Sequence, residues 1–290
     1  MKKYIIIIPV YNDWQSVLKL IDNIDLQINN QNVDIIIIND ASTEAIDDTK
    51  RTYSKINSVK ILNLINNIGH CKGIATALHY CNTNLEFNYI VPMDGDGEDR
   101  PEELNKFFSL TDSSSPEVIT ANRIRRSEGK LFKACYTAHK FLTYLMIGKM
   151  VKFGNYSCLS KKTVTKILSS GSIWLTYSGS IVKNFSSIES ISSTRGIRYF
   201  GPSKMNFAKL VIHSLNISAA FRETIFIRST LLIMFFSYAA HQTTNSYFLI
   251  PAMLSWVFML FMFYLSRKDD VKKLNASYLN IKDLTTFYSR

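Results

Sequence analysis

The chain has 290 residues and a formal net charge of +11, from 34 Lys and Arg against 23 Asp and Glu, with 47% hydrophobic and 20% charged residues. That length and apolar content exclude a disordered tail and supply the core of one large domain with an appendage. The basic balance asks for a polyanionic partner, and the cysteines Cys71, Cys81, Cys135 and Cys158, which lack CxxC spacing, argue for reduced thiols and against a zinc site.

In chain order, Lys2 and Lys3 precede a short apolar stretch, Tyr4 to Val10, which reads as a first strand rather than a signal peptide. Ile5 to Ile8 and Ile35 to Ile38 are runs of four isoleucines ended by Pro9 and Asn39. Such short β-branched runs without alternation fit parallel strands buried on both faces. Further strands are expected at 59–64, 89–93 and 117–121, and helices at roughly 14–29, 44–57, 70–82 and 101–110. Strand and helix alternate, so the fold class is α/β, a mostly parallel right-handed βαβ sheet that binds ligands at the carboxyl ends of its strands. The PVYNDW turn after the first strand lacks the Gly-x-Gly-x-x-Gly pattern of a dinucleotide site and the Gly-rich loop of a nucleotidyltransferase.

Residues 130–153 and 206–221 have the lysine, aromatic and apolar spacing of helices that lie on a membrane surface or pack as amphipathic core helices. Two apolar stretches follow, 225–240 and 247–265, separated by HQTTNS. A bilayer needs about 20 apolar residues per helix, and the basic residues Arg222, Arg228, Arg267, Lys268, Lys272 and Lys273 lie at the outer ends, so both ends are placed in the cytoplasm. The competing reading is a pair of buried core helices. The expected organisation is a catalytic domain over 1–221, a membrane hairpin over 222–266 and a basic cytoplasmic tail over 267–290.

Asp94, Asp96, Glu98 and Asp99 crowd into six positions of VPMDGDGEDRPEEL, directly after a strand. Like charges this close need a positive partner. Carboxylates two residues apart at a sheet's carboxyl edge suit Mg²⁺ or Mn²⁺ bridging a substrate diphosphate, and Gly95 and Gly97 leave room for a ligand to approach. Asp-Gly-Asp by itself also makes ordinary solvated turns, so its neighbours decide.

Those neighbours form an ordered series. IIIPVYND (6–13), IIIINDAS (35–42), NNIGHCKGIATAL (66–78) and VPMDGDGEDRPEEL resemble the motifs of the inverting family 2 glycosyltransferases with the GT-A fold, and are similar within them to the polyprenyl-phosphate, dolichyl-phosphate mannosyltransferase-like branch. The resemblance implies a nucleotide-diphosphate-sugar donor held by Pro9, Tyr11, Asn12, Asp40, Asn67, Gly69, Asp94 and Arg123, with Tyr11 against the base, and Mg²⁺ or Mn²⁺ held by Asp94 and Asp96. Asn39 stands where the family usually has an acid. After the fifth strand, Arg125 and Arg126 beside Arg123 form a basic patch. STRGIRYFGPSKMNF (193–207) resembles the branch's late motif, which implies that Ser203 and Lys204, with Arg195 or Arg198 supplying a second charge, bind the phosphate of a lipid-phosphate or lipid-linked acceptor. A phosphate acceptor hardly needs a base; for a hydroxyl acceptor the nearest bases are Asp99 and Glu98.

Alternatives are a soluble or cell-surface polysaccharide hydroxyl acceptor, or an inactive membrane-anchored scaffold. The missing Gln-x-x-Arg-Trp motif argues against cellulose-synthase-like processivity. Nucleic-acid binding has no motif beyond charge. The histidines His70, His79, His139 and His213 lack metal-ligand spacing and receive no role.

Overall fold

The computed structural model describes residues 1–29, 32–46, 51–123, 143–202, 207–267 and 270–290. They divide into two compact units: Met1–Arg126 with Lys152–Lys204 and Asp270–Arg290, and Ser127–Val151 with Met205–Asp269.

The first unit is built on one eight-stranded sheet. Its strands are β1 (Lys3–Val10), β2 (Asn32–Asn39), β3 (Ile56–Leu64), β4 (Tyr89–Pro92), β5 (Val118–Arg123), β6 (Ser157–Ser160), β7 (Glu189–Ser193) and β8 (Ile281–Ser289), in the spatial order β7-β5-β6-β4-β1-β2-β3-β8. β1 pairs in parallel with β2 and β4 and β2 with β3, while β6 and β8 run antiparallel to their neighbours. The pleat sends successive residues of β1 to opposite faces. Tyr4, Ile6, Ile8 and Val10 join one apolar cluster with α1 (Trp14–Gln27), and Ile5 and Ile7 join another with α2 (His70–Asn84). The isoleucine runs are therefore covered on both sides, each buried side chain stabilising the fold by about 2 kcal/mol. α3 (Leu104–Ser114) adds Phe107 and Phe108 to the first face; α4 (Lys161–Ser170) and α5 (Tyr177–Asn184) add Ile167 and Ile181 to the second.

Two expectations need correction here. No helix occupies the described residues between β2 and β3: of the helix expected at 44–57, residues 44–46 and 51–55 are irregular, Ile56 already opens β3, and 47–50 lie outside the described residues. Residues 267–290 do not form a free tail. From Asp270 they belong to the sheet-bearing unit, where β8 covers the edge of β3, with Leu284 opposite Leu62 and the Tyr288 ring edge-on to Tyr53 at 5.0 Å. An uncovered strand edge offers a row of unpaired N–H and C=O groups, and the β-branched and aromatic run TTFYS supplies the partner.

The second unit contains α6 (Phe207–Ala219), α7 (Arg222–Thr243) and α8 (Leu249–Ser266). α7 and α8 are long and apolar enough to cross a membrane. They pack on one another through Phe226 and Phe263, whose rings meet edge-on at 5.9 Å, and leave Leu231, Phe235, Leu254, Trp256 and Leu260 exposed. Buried core helices would not present such a surface. Most of the helix expected over 130–153 lies outside the described residues.

Candidate active site

The acidic loop leaves β4 at Pro92 and is fixed at its start by the Met93 N–H, which donates to Ile7 O at 2.9 Å. It then folds on itself. Asp99 is 3% exposed and its Oδ2 accepts the Asp94 N–H at 3.0 Å, while Asp96 Oδ1 accepts the Glu98 N–H at 2.9 Å. Asp99, expected as a base, is thus a buried brace of the loop.

The loop's positive partners come from the chain itself. Gly196 N–H donates to Glu98 O at 2.8 Å and Tyr199 N–H to Asp96 O at 2.9 Å, laying residues 195–200 along the acidic turn. Arg195 Nε then donates to Glu98 Oε2 at 2.8 Å, and Arg198 pairs with Asp96 and, at 3.5 Å, with Asp13. The room that Gly97 was expected to leave for a ligand is filled by Tyr199: at φ +88° a Cβ on Gly97 would come within 2.6 Å of its ring. At Gly95 the neighbour is Val17, 2.8 Å from where a Cβ would stand. Desolvation raises the Asp96 pKa above its ordinary value, reinforced by Asp94 and Glu98 and opposed by the Glu98 N–H and Arg198.

The loops after β1, β2 and β3 are bound to each other beside this turn. Asn12, at φ +48°, accepts the Thr43 and Glu44 N–H groups on Oδ1, at 2.9 and 3.2 Å, and its own N–H donates to Ser42 Oγ at 3.0 Å. Asp40 is 4% exposed; its oxygens accept the Ile68 and Gly69 N–H groups at 2.8 and 2.9 Å. Asp40 thereby shapes the turn at Asn67 and Gly69 that starts α2, where Gly69 takes φ +87°. Asn39, in the usual acidic position, donates to Asn63 Oδ1 at 2.9 Å and accepts the Ser42 N–H at 2.9 Å. Tyr11, after Pro9 at the carboxyl end of β1, keeps 44% of its surface exposed, as a ring that stacks on a base requires. A groove of about 510 Å³ runs nearby, lined by Trp14, Asn39, Ile46, Asn63, Thr285 and Phe287, so β8 contributes to this edge as well.

Two residues join the site that sequence reasoning passed over. His70, the first residue of α2, brings Nε2 to 3.1 Å from Asp94 Oδ1, and Asn155 Nδ2 stands 2.8 Å from that nitrogen and 3.2 Å from that oxygen. Desolvation lowers the His70 pKa, but Asp94, with Asp99 and Asp96 behind it, outweighs that and raises it above its usual value. The signal for His70 was its place after Gly69 at the carboxyl edge of the sheet. Asn155 had none, because only the pairing of β6 with β4 brings it across 61 residues of chain.

Arg123 ends β5; Arg125, Arg126, Ser203 and Lys204 lie outside the described residues. Among the described residues no three His, Cys, Asp or Glu side chains are gathered as a metal site. The donor chemistry nevertheless fits a divalent cation at Asp94, whose carboxylate is 24% exposed, while both Asp96 oxygens are engaged by Arg198 and the Glu98 N–H.

A mostly parallel sheet with an acidic loop and an exposed aromatic at the carboxyl ends of its central strands is an α/β domain with its candidate site where such sheets bind ligands. Residues 5–162, more than half of the chain, match the model of glycosyl transferase family 2, and the chain belongs to that family. No curated protein matches the sequence significantly. Among solved structures, S. aureus TarS 1-349 in complex with UDP-GlcNAc is 14% identical at a TM-score of 0.51, covering 95% of this chain and 90% of its own. Glucosyl-3-phosphoglycerate synthase from Mycobacterium tuberculosis, in complex with Mn²⁺, UDP-glucose and phosphoglyceric acid, is 14% identical at a TM-score of 0.52, covering 77% of this chain and 79% of its own. At these identities the likeness is one of fold. The chain is a glycosyltransferase with a GT-A-like α/β fold.

Proposed function

We propose that this enzyme transfers a sugar, with inversion, from a nucleoside-diphosphate sugar to a lipid acceptor, polyprenyl phosphate or a lipid-linked glycan, as in the polyprenyl-phosphate branch of its family. The observation that carries the donor reading is the gathering of Tyr11, the Asn67–Gly69 turn and the Asp94–Asp99 loop at one edge of the sheet. The UDP-sugars named in the two related structures support it.

Tyr11 stacks on the base, and Asp40 and Asn12 hold the loops that frame it. Arg198 stands beside Asp96 and exchanges it for a phosphate oxygen when donor and acceptor arrive, while Arg195 stays on Glu98. The acceptor oxygen attacks C1 from the face opposite the leaving group, the C1–O bond breaks, and the electron pair leaves on the nucleoside diphosphate. A divalent cation, Mg²⁺ or Mn²⁺, held at Asp94, would supply charge neutralisation to that leaving group; the Mn²⁺ of the mycobacterial synthase supports this.

The state of the proposed bases favours a phosphate acceptor over a hydroxyl. Asp99 is buried in a hydrogen bond to the loop and Glu98 is paired with Arg195, whereas a phosphate oxygen is already anionic and needs no base. α7 and α8 form the membrane hairpin in this reading, which places the enzyme in the cell membrane with its catalytic unit on the cytoplasmic side, tethered in the same chain at high effective concentration of a bilayer-confined acceptor.

The test is release of nucleoside diphosphate by purified full-length protein from a panel of UDP- and GDP-sugars, with and without polyprenyl phosphate in detergent. Turnover of one donor, stimulated by the lipid, is expected. Equal turnover without the lipid but with a glycan hydroxyl would move the acceptor to the second reading, and no turnover of any donor would overturn the first.

A further inference from the structure

We propose that His70 Nε2, Asp94 Oδ1 and the side-chain amide oxygen of Asn155 form a preformed triangular face for one divalent cation, selective for Mn²⁺ over Mg²⁺. The three positions are separated by 3.1, 3.2 and 2.8 Å. An octahedral ion with ligands at about 2.1 Å has donor atoms about 3.0 Å apart along each edge, so the triangle matches one face of such an octahedron. Asn155 presents its nitrogen to the other two, and a half-turn about its last torsion, which is roughly two-fold, brings the oxygen to the same point.

Each donor comes from a different element and is held from behind. His70 opens α2 directly after Gly69, whose N–H is fixed by Asp40 at 2.9 Å. Asp94 has its own N–H fixed by Asp99. Asn155 is followed by Tyr156, whose hydroxyl donates to Arg100 O at 2.8 Å, and its own carbonyl accepts from Ser157 Oγ at 3.1 Å. Such backing is what a ligand set needs to keep its geometry. The face is open on its other side, with His70 46% and Asp94 24% exposed, which leaves positions for water and diphosphate oxygens. A half-exposed ion pair contributes little to the stability of a fold, so stability alone gives little reason to gather these three.

This division assigns the acidic loop two cations: a metal ion at Asp94 and the Arg198 guanidinium at Asp96. It also sets the preference between the two ions, because Mg²⁺ is held by oxygen ligands and disfavours an imidazole nitrogen, whereas Mn²⁺, a first-row transition ion, accepts a nitrogen in a mixed N/O set.

The proposal rests on the reading of the chain as a metal-using glycosyltransferase, and the experiment separates the two. Mn²⁺ is titrated into full-length protein in detergent, with UDP and separately GDP present, and bound ion is followed by electron paramagnetic resonance with spin-echo detection of ¹⁴N coupling. Expected are one Mn²⁺ per chain with imidazole-nitrogen coupling, loss of that coupling in His70→Ala, and affinity lowered roughly tenfold or more in His70→Ala and Asn155→Ala. Asn155→Asp, which keeps an oxygen and lacks the amide nitrogen, retains binding. Mn²⁺ bound without nitrogen coupling, or Asn155→Asp failing as Asn155→Ala does, overturns the triangular face and leaves the metal reading intact. Failure of the wild-type protein to bind Mn²⁺ overturns both.

Discussion

The Arg198 guanidinium pairs with Asp96 and lies 3.5 Å from Asp13, so a residue expected at a phosphate holds a carboxylate of the acidic loop. Donor phosphates and Asp96 then compete for one guanidinium. Arg198→Gln is expected to weaken UDP or GDP binding by about 10–100-fold, the worth of one charge-assisted contact, with Arg198→Lys in between. Calorimetry with each nucleotide measures this, and an unchanged dissociation constant would confine Arg198 to loop structure.

Asp40 contributes through the fold before it contributes to the donor. In Asp40→Asn an amide NH₂ faces either the Ile68 or the Gly69 N–H, so one buried hydrogen bond is replaced by a donor–donor clash. Stability is expected to fall by about 1–3 kcal/mol in urea denaturation. A variant as stable as wild type but with weakened nucleotide binding would restore the direct contact that the family resemblance implies.

Asp25 offers a pH test away from the site. Burial alone would raise its pKa, yet it accepts from Ser54 N–H, Ser54 Oγ, Lys55 N–H and Ile56 N–H at 2.9, 3.0, 2.7 and 3.0 Å, and these donors hold it below the usual carboxylate range. A depressed folded-state pKa contributes stability that is present above the unfolded value, about 3.9, and is lost as pH falls through the folded value. Asp25→Asn should therefore cost about 2 kcal/mol at pH 7, and the gap to wild type should shrink only below about pH 4. A gap that is the same at pH 7 and pH 3 would contradict the assignment.

β8 makes the C-terminus part of the catalytic sheet. Amide hydrogen exchange should show the hydrogen-bonded residues of Ile281–Ser289 protected to a degree comparable with β3. Exchange of this segment at the rate of an unstructured chain would return it to the tail read from the sequence.

The sheet's centre was legible because isoleucine runs at both Ile5–Ile8 and Ile35–Ile38 permit little besides buried parallel strands. The edges were not. β8 is separated from its partner β3 by more than 200 residues, and TTFYS next to an apolar hairpin reads locally as an appendage. In the site, motif spacing located the turns at Asn12, Asn67 and Asp94 but not the direction of their side chains. Asp40 and Asp99 turned inward because backbone N–H groups in tight turns need acceptors, and a carboxylate two to five residues or one strand away is the nearest. Arg195 and Arg198 face the acidic loop for a reason sequence does carry, charge balance, but only the pairing of residues 196–199 with Asp96 and Glu98 says which arginine meets which acid.

The most direct measurement is transfer of a radiolabelled sugar by the full-length protein, in vesicles containing polyprenyl phosphate, followed by extraction into organic solvent. From one UDP- or GDP-sugar, label should enter the lipid phase in a form released by mild acid, and removal of α7 and α8 by truncation after Phe221 while supplying 270–290 as a separate peptide should abolish transfer without abolishing nucleotide binding. Label that stays in the aqueous phase with every donor, or that enters a soluble glycan at the same rate with the lipid absent, would contradict a membrane-held phosphate acceptor.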